Sequence, residues 1–457
     1  MGGRKRKLNK TAERPAMTDA ARARLAMRAL VVLYLFIGLV YAAQVPAGTG
    51  PDETGHLRYV QWLAEHGTLP RFDRTDPGAD YEFHQPPLYY LSCLPSYRLG
   101  ERLTGDAGQA VRIFSLLLAL PLLYLTFALA RTLAPDRPWL AVATAGIVAF
   151  LPMHIYLSAC VSNDGLTEVW FAAALLVMVR HLRAAHAYRA GGREHPPAML
   201  AMGGLGLLIG LALLTKSLGV LLLPVAWVVA AMAGRGREGY EWRRVARDVV
   251  VCTAAALAVA GWWLLHNQRA YGDPLAQQAF VEAFTRGAER RPAPSDWMHG
   301  PIAHLSRVEY LLLVVGWTWC SGLGMFGGLS GNQFRFFPYW ANAAFALVVG
   351  IGLVGWVRYL RRSELSAWQR QVWWASALLG ALLLASFVRF NMVFFQAQAR
   401  YLFPGALPAA ALALSLGIAQ LAPSPAKSWA PAVVAAALAA LALFGLPLWV
   451  LPQRLVP

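Results

Sequence analysis

ALVVLYLFIGLVYAAQ, residues 29–44, contains no Asp, Glu, Lys, Arg or His. As a helix it rises about 24 Å, most of the way across a bilayer's hydrocarbon core. An h-region of a secretory signal is shorter, and equally apolar stretches recur downstream as far as Leu451, so 29–44 reads as the first of several membrane spans. The whole chain agrees. Of 457 residues 57% are hydrophobic and only 14% charged, against roughly 25% charged in a soluble globular protein. So few charges cannot cover a water-facing surface of this size.

The same criterion places further spans at 108–131, 138–159 and 164–180, two within 198–234, and others at 248–266, 339–359, 368–390, 402–421 and 429–450. The expected fold is an all-α integral membrane protein, a polytopic bundle of about eleven transmembrane helices. Interfacial helices are expected in its first external loop. The formal net charge of +17 is concentrated in the tail, residues 1–28, and in short arginine-rich loops such as 181–197 and 235–247. That is the positive-inside pattern, which sets orientation. It puts the tail in the cytoplasm of a multi-pass protein of the cell (inner) membrane, against anionic lipid, and no nucleic-acid fold accompanies the charge. Residues 45–107 then form a first external loop, 108–266 carry helices two to seven, 267–338 form a second external segment, and 339–457 hold the last spans. Residues 311–329 are apolar but rich in glycine. Counting them as a span would put Arg358, Arg361 and Arg362 outside, so they read as re-entrant or interfacial. Four cysteines lack CxxC spacing and indicate neither zinc nor a redox pair.

Against this background, polar residues carry the information. Pro51-Asp52-Glu53-Thr54-Gly55-His56 begins just beyond the first span. Asp52 is placed as the N-cap of an amphipathic interfacial helix on which Asp52 and His56 share a face, with Glu53 beside them. Solvated carboxylates on a capped surface helix are one reading; a general base held at the membrane surface is the other. His84-Gln85-Pro86-Pro87-Leu88-Tyr89-Tyr90 opens a second interfacial helix, with Tyr89 and Tyr90 as aromatic-belt residues or as platforms for a sugar or lipid. Ser162-Asn163-Asp164 sits at the external start of the fourth span, and Glu168 lies one turn deeper on the same face. A carboxylate inside a span faces a cavity or a partner.

Lys216 stands out because lysine occurs elsewhere only at 5, 7, 10 and 427. It interrupts an apolar hairpin at the external start of the sixth span, where ammonium and helix dipole together favour an anion; snorkelling to headgroups is the plainer alternative. Arg112, near the outer end of the second span, and Arg400, in Gln396-Ala397-Gln398-Ala399-Arg400-Tyr401, add guanidiniums suited to phosphate on that side, or anchors at helix ends.

Asp52-Glu53, the 84–90 segment, the Lys216 hairpin and Arg400-Tyr401-Leu402-Phe403-Pro404 together resemble the GT-C superfamily of membrane glycosyltransferases, especially the protein mannosyltransferases, aminoarabinose transferases and bacterial relatives. The resemblance implies a sugar donor linked to polyprenyl phosphate, inversion at the anomeric carbon, and a glycan, lipid or protein acceptor at the non-cytoplasmic face. Carried over by position, Asp52 would be the general base, Glu53 would help position the acceptor, and Lys216 and Arg400 would hold the donor phosphate; Arg112, from its own place on that side, is a further candidate for the phosphate. His56, His84, Tyr89, Asp164, Glu168 and Tyr401 would line the substrate site. No cofactor is required, although Asp52, Glu53 and His56 could take up a divalent metal. A transporter or flippase for lipid-linked glycans would use a similar charged cavity without a base, and commonly shows repeated halves. No repeat is evident here. A non-catalytic assembly subunit would need no base either.

Overall fold

The computed structural model describes residues 18–450 apart from 76–77, 193–194, 196–197, 286–304, 328–334, 363 and 394. Its helices, in chain order, are α1 (Asp19–Gln44), α2 (Glu53–His66), α3 (Leu88–Leu103), α4 (Ala107–Leu133), α5 (Pro138–Phe150), α6 (Pro152–Ser158), α7 (Asp164–Arg189) and α8 (Met199–Thr215). They continue with α9 (Leu222–Ala233), α10 (Trp242–Tyr271), α11 (Gln277–Thr285), α12 (Arg307–Leu323), α13 (Tyr339–Arg362), α14 (Ala367–Asn391), α15 (Phe403–Leu421) and α16 (Ala430–Gly445). The only sheet among the described residues is a two-residue antiparallel pair, β1 (Met325–Phe326) with β2 (Arg335–Phe336).

Eight helices among the described residues are long and apolar enough to cross a membrane. The stretch expected as the third span is two helices, α5 and α6, which meet at a 63° bend, the geometry of a broken span or a re-entrant loop. Pro152 at the break has no N–H to continue the helix, and Leu151 before it takes an extended conformation. The expected hairpin at 198–234 is α8 and α9, 17 and 12 residues long, joined by a 3-10 turn at Ser217–Leu221. Together these account for the eleven apolar segments expected from hydropathy. Of segment 311–329, residues 311–323 form most of α12, opened by a capping box between Ser306 and Glu309, before the chain turns into β1; 328–329 lie outside the described residues. Seventeen residues make it shorter than the eight spanning helices.

Helix α7 is the axis of the bundle. Within its apolar stretch 78% of residues are buried, against 22% for α10 and 17% for α13, which lie largely exposed on the outside of the bundle. It packs on α4, α8, α9, α14 and α15, so whatever α7 carries at its start is held from several sides.

Close helix crossings rest on glycine, as expected where lipid tails give no hydrophobic drive to associate. A Cβ at Gly355 of α13 would lie 2.0 Å from the Gly417 carbonyl oxygen of α15, and one at Gly417 would lie 1.9 Å from the Gly352 carbonyl. The two backbones touch. Gly417→Val therefore forces α13 and α15 apart. We expect an overpacking loss of about 1–3 kcal/mol, read as a lowered melting temperature of purified protein, whereas Gly350→Ala, which meets open space, leaves it unchanged.

Candidate active site

Four chain segments bring charge to one end of the bundle. Asp52 sits at the N-cap position of α2, as expected, but its side chain makes no capping bond; it takes a left-handed conformation (φ 57°, ψ 15°). Such a backbone strains a non-glycine residue, and here it turns the carboxylate toward Arg400. Arg400 lies in the 3-10 turn leading into α15, and its side chain is only 2% exposed. Its Nη2 donates to Asp52 Oδ2 at 2.5 Å and its Nη1 to Asp164 Oδ2 at 3.1 Å. Asp164, the first residue of α7, uses its other oxygen, Oδ1, to accept from Lys216 Nζ. The phenol ring of Tyr401 lies beneath both cations, 5.7 Å from Lys216 Nζ and 4.8 Å from the Arg400 guanidinium carbon. Two carboxylates and two cations, drawn from positions 52, 164, 216 and 400, thus form one network.

Local bonds explain why the segments meet. Asn163 donates to the carbonyl of Thr215 at 3.2 Å and to Gln85 Oε1 at 3.3 Å, tying the Lys216 turn and the 84–87 turn to the start of α7. Gln398 accepts from Arg400 Nε at 2.7 Å and holds the guanidinium plane. Burial opposes the charged form of Asp52, but the charge and hydrogen bond of Arg400, with His56 adding to them, together hold the carboxyl below the usual carboxylate range.

The neighbour of Asp52 does a different job. Glu53 accepts five hydrogen bonds: from Arg112 Nε and Nη2, both 2.6 Å, and from the amides of Gly48, Gly50 and Val161 at 3.0–3.1 Å. Arg112 gives its remaining donors to the carbonyls of Ala42, Val45 and Pro46. All five guanidinium N–H groups are taken by protein, so Arg112 is no phosphate ligand and Glu53 no free carboxylate. They latch α4 to the end of α1 and to the loop before α2. This corrects the expected roles of both residues. The metal site fails the same test: with Glu53 turned to Arg112 it cannot join Asp52 and His56, and no three of His, Cys, Asp and Glu are grouped for a metal among the described residues.

Three other expectations change. Tyr89 is buried and bonds Ser115 of α4 at 2.7 Å, so its hydroxyl ties α3 to α4. His84 precedes α3, lies in contact with Phe280, donates from Nδ1 to the Tyr81 carbonyl at 2.8 Å, and meets Gln85 Nε2 at 3.3 Å with Nε2. Burial pushes its pKa down to about 4, so it is a neutral spacer. Glu168 is enclosed in the bundle, 3.2 Å from His154 Nδ1, which the α5–α6 break brings to it. One turn of α7 separates it from the charged network.

His56 does belong to the site. Its Nδ1 bonds Tyr90 Oη at 2.8 Å and lies 3.7 Å from Glu82 Oε2, and both His56 and Glu82 are buried. Burial lowers the His56 pKa to about 3 and raises that of Glu82 to about 8, with the Asp52 charge adding to the latter. Glu82 was not singled out from sequence, and Tyr90 was read there as a belt residue or stacking platform, not as the hydrogen-bond partner of His56. An acidic residue two positions before His84-Gln85, in the same loop, was the available signal.

The latch has a measurable signature. Removing one partner of a buried ion pair costs about 3–5 kcal/mol because the other charge stays buried. Glu53→Gln and Arg112→Gln should each destabilise the protein by that order, and the double variant by clearly less than their sum in thermal melts.

The family model for dolichyl-phosphate-mannose-protein mannosyltransferase matches residues 98–270, which include Asp164 and Lys216. No curated protein matches the sequence. ArnT from Cupriavidus metallidurans bound to undecaprenyl phosphate superposes with a TM-score of 0.53 at 16% identity, over 94% of this chain and 72% of that one. Its apo state gives 0.50 at 18% identity, over 95% and 74%. The archaeal oligosaccharyltransferase AglB from Archaeoglobus fulgidus, in complex with an inhibitory peptide and a dolichol-phosphate, scores 0.47 at 15% identity over 94% and 55%. From end to end, this chain of membrane-length apolar helices shares the GT-C-like fold of ArnT.

Proposed function

We propose that the protein is a membrane glycosyltransferase that moves a sugar from a polyprenyl-phosphate carrier to an acceptor hydroxyl at the non-cytoplasmic face, with inversion. The observation that carries the reading is the Arg400 bridge between Asp52 and Asp164, with Lys216 on the latter. A phosphate leaving group needs charge stabilisation more than a proton, and an attacking hydroxyl needs a base within hydrogen-bond reach. One reachable carboxylate beside a two-cation clamp meets both needs. ArnT bound to undecaprenyl phosphate and the mannosyltransferase match at 98–270 support a lipid-phosphate donor.

In this mechanism the donor phosphate takes the place of Asp52 and part of the place of Asp164 on Arg400 and Lys216. Asp52, released from its guanidinium, regains basicity. It accepts the proton of the acceptor hydroxyl as that oxygen bonds to the anomeric carbon from the side opposite the phosphate. The anomeric C–O bond breaks, and its electron pair stays on the lipid phosphate, held by Arg400 and Lys216. Asp164 keeps both cations aimed into the site.

Asp52→Asn should reduce transfer by about 10²–10⁴-fold while polyprenyl phosphate still binds. Lys216→Ala should weaken that binding by roughly tenfold, the scale of one lost charged hydrogen bond. Transfer by purified Asp52→Asn protein at the wild-type rate would refute the assignment and leave a non-enzymatic assembly role.

A further inference from the structure

Glu82 is a third carboxyl at this site, after Asp52 and Asp164, and the transfer chemistry leaves it unused. It is 5% exposed, yet its Oε2 has no hydrogen-bond partner. Buried polar atoms are nearly always bonded, and an unbonded one is costly. Nearby His56 is no substitute: it lies 3.7 Å away, and its Nδ1 is already committed to Tyr90. The backbone has made room for this arrangement. A Cβ at position 55 would come within 2.8 Å of Glu82 Cγ and 2.7 Å of Tyr81 Cζ, so only glycine there lets the 81–82 segment lie flat on α2, one turn from Asp52. The Tyr81 hydroxyl beside it also lacks a partner. Two buried polar groups without partners, on a wall one helical turn from the base, mark a place where a polyhydroxyl ligand completes the bonding.

We propose that Glu82 and the Tyr81 hydroxyl form a subsite that hydrogen-bonds a sugar hydroxyl beside Asp52. The inference rests on the glycosyltransferase reading. The groups facing Glu82 are Asp52, His56 and Gly55 from the start of α2, Tyr81 and Gln85 from its own turn, Tyr90 of α3, Lys216 of the hairpin, and Arg400 and Tyr401. Burial first, and then the ionised Asp52, keep the proton on Glu82 near neutral pH against the opposing pull of Lys216 and Arg400, so the carboxyl acts as a donor. The hydroxyl oxygen accepts from Glu82, and its own hydrogen is free for another acceptor. A neutral carboxyl also avoids setting a third negative charge against the incoming phosphate. Function therefore persists below about pH 8 and fades as pH rises through it.

The sugar hydroxyl comes from the donor or from the acceptor, and binding separates the two. Purified protein is titrated with polyprenyl monophosphate and with the same lipid phosphate carrying a hexose. If the donor sugar is held, Glu82→Ala weakens the glycosylated lipid about tenfold, one hydrogen bond's worth, and leaves the bare lipid phosphate unchanged. If the acceptor is held, both lipids bind as in wild type, and Glu82→Ala raises the acceptor KM with little change in kcat. Glu82→Gln, which keeps a donor but cannot ionise, should retain binding and lose the fall above about pH 8. Infrared spectra should show a protonated-carboxyl C=O band at pH 7 that is absent in Glu82→Gln and shifts when the sugar-bearing ligand is added. Unchanged affinities, an unchanged acceptor KM and the absence of that band would overturn the subsite. Should wild type bind neither lipid, the donor reading fails, and the infrared band with its response to free hexose decides the subsite by itself.

Discussion

A guanidinium with 2% of its side chain exposed must be paired, because an uncompensated buried charge costs several kcal/mol. Arg400 meets that requirement only if Asp52 and Asp164, 348 and 236 residues away in sequence, both reach it. The starts of α2, α7 and α15 therefore cannot drift independently. Two of the paired carboxylates also lie at helix starts, where the helix dipole favours negative charge. Electrostatics and helix geometry select the same end of the bundle.

Much of the architecture was legible because a bilayer leaves few options: a long apolar run must be a helix, and it must cross or lie in the membrane. The bent helix pair at Pro152 and the short arms around Lys216 were visible as apolar stretches, but their lengths were not, since hydropathy does not report a 63° bend. In the site, Asp52, Asp164, Lys216, Arg400, Tyr401 and His56 came together as their shared sidedness implied. Arg112, Glu53, Tyr89, His84 and Glu168 lie elsewhere or are spent on the fold. Sidedness says which residues could meet but not which partner takes up each donor and acceptor. Glu82 escaped notice for the converse reason. In sequence it is an ordinary loop acid, and only the bare Cα of Gly55 reveals how close it lies to α2.

Asp52 and Glu53 show how one dipeptide divides its work. Glu53 is saturated by five donors and cannot move without opening the latch to α4. That immobility lets Asp52 hold a left-handed backbone and point the other way. Adjacent side chains at a helix start diverge by about 100°, so one fixes the loop while the other faces the cations. A site on a loop normally sacrifices precision. Here the loop is stapled within one residue of the group that must be placed.

The arms of the Lys216 hairpin have a consequence for the lipid around them. Helix α8, with 17 residues, rises about 26 Å, less than the roughly 30 Å thickness of the hydrocarbon layer. On the proposed function, an ammonium at its tip would lie below the headgroup plane, and a carrier phosphate reaching it would draw its polyprenyl chain down with it. The leaflet would then dimple at this spot, as it does around any span that is too short. On that reading membrane thickness enters the chemistry: a thinner bilayer would bring the carrier's phosphate to Lys216 with less deformation than a thicker one.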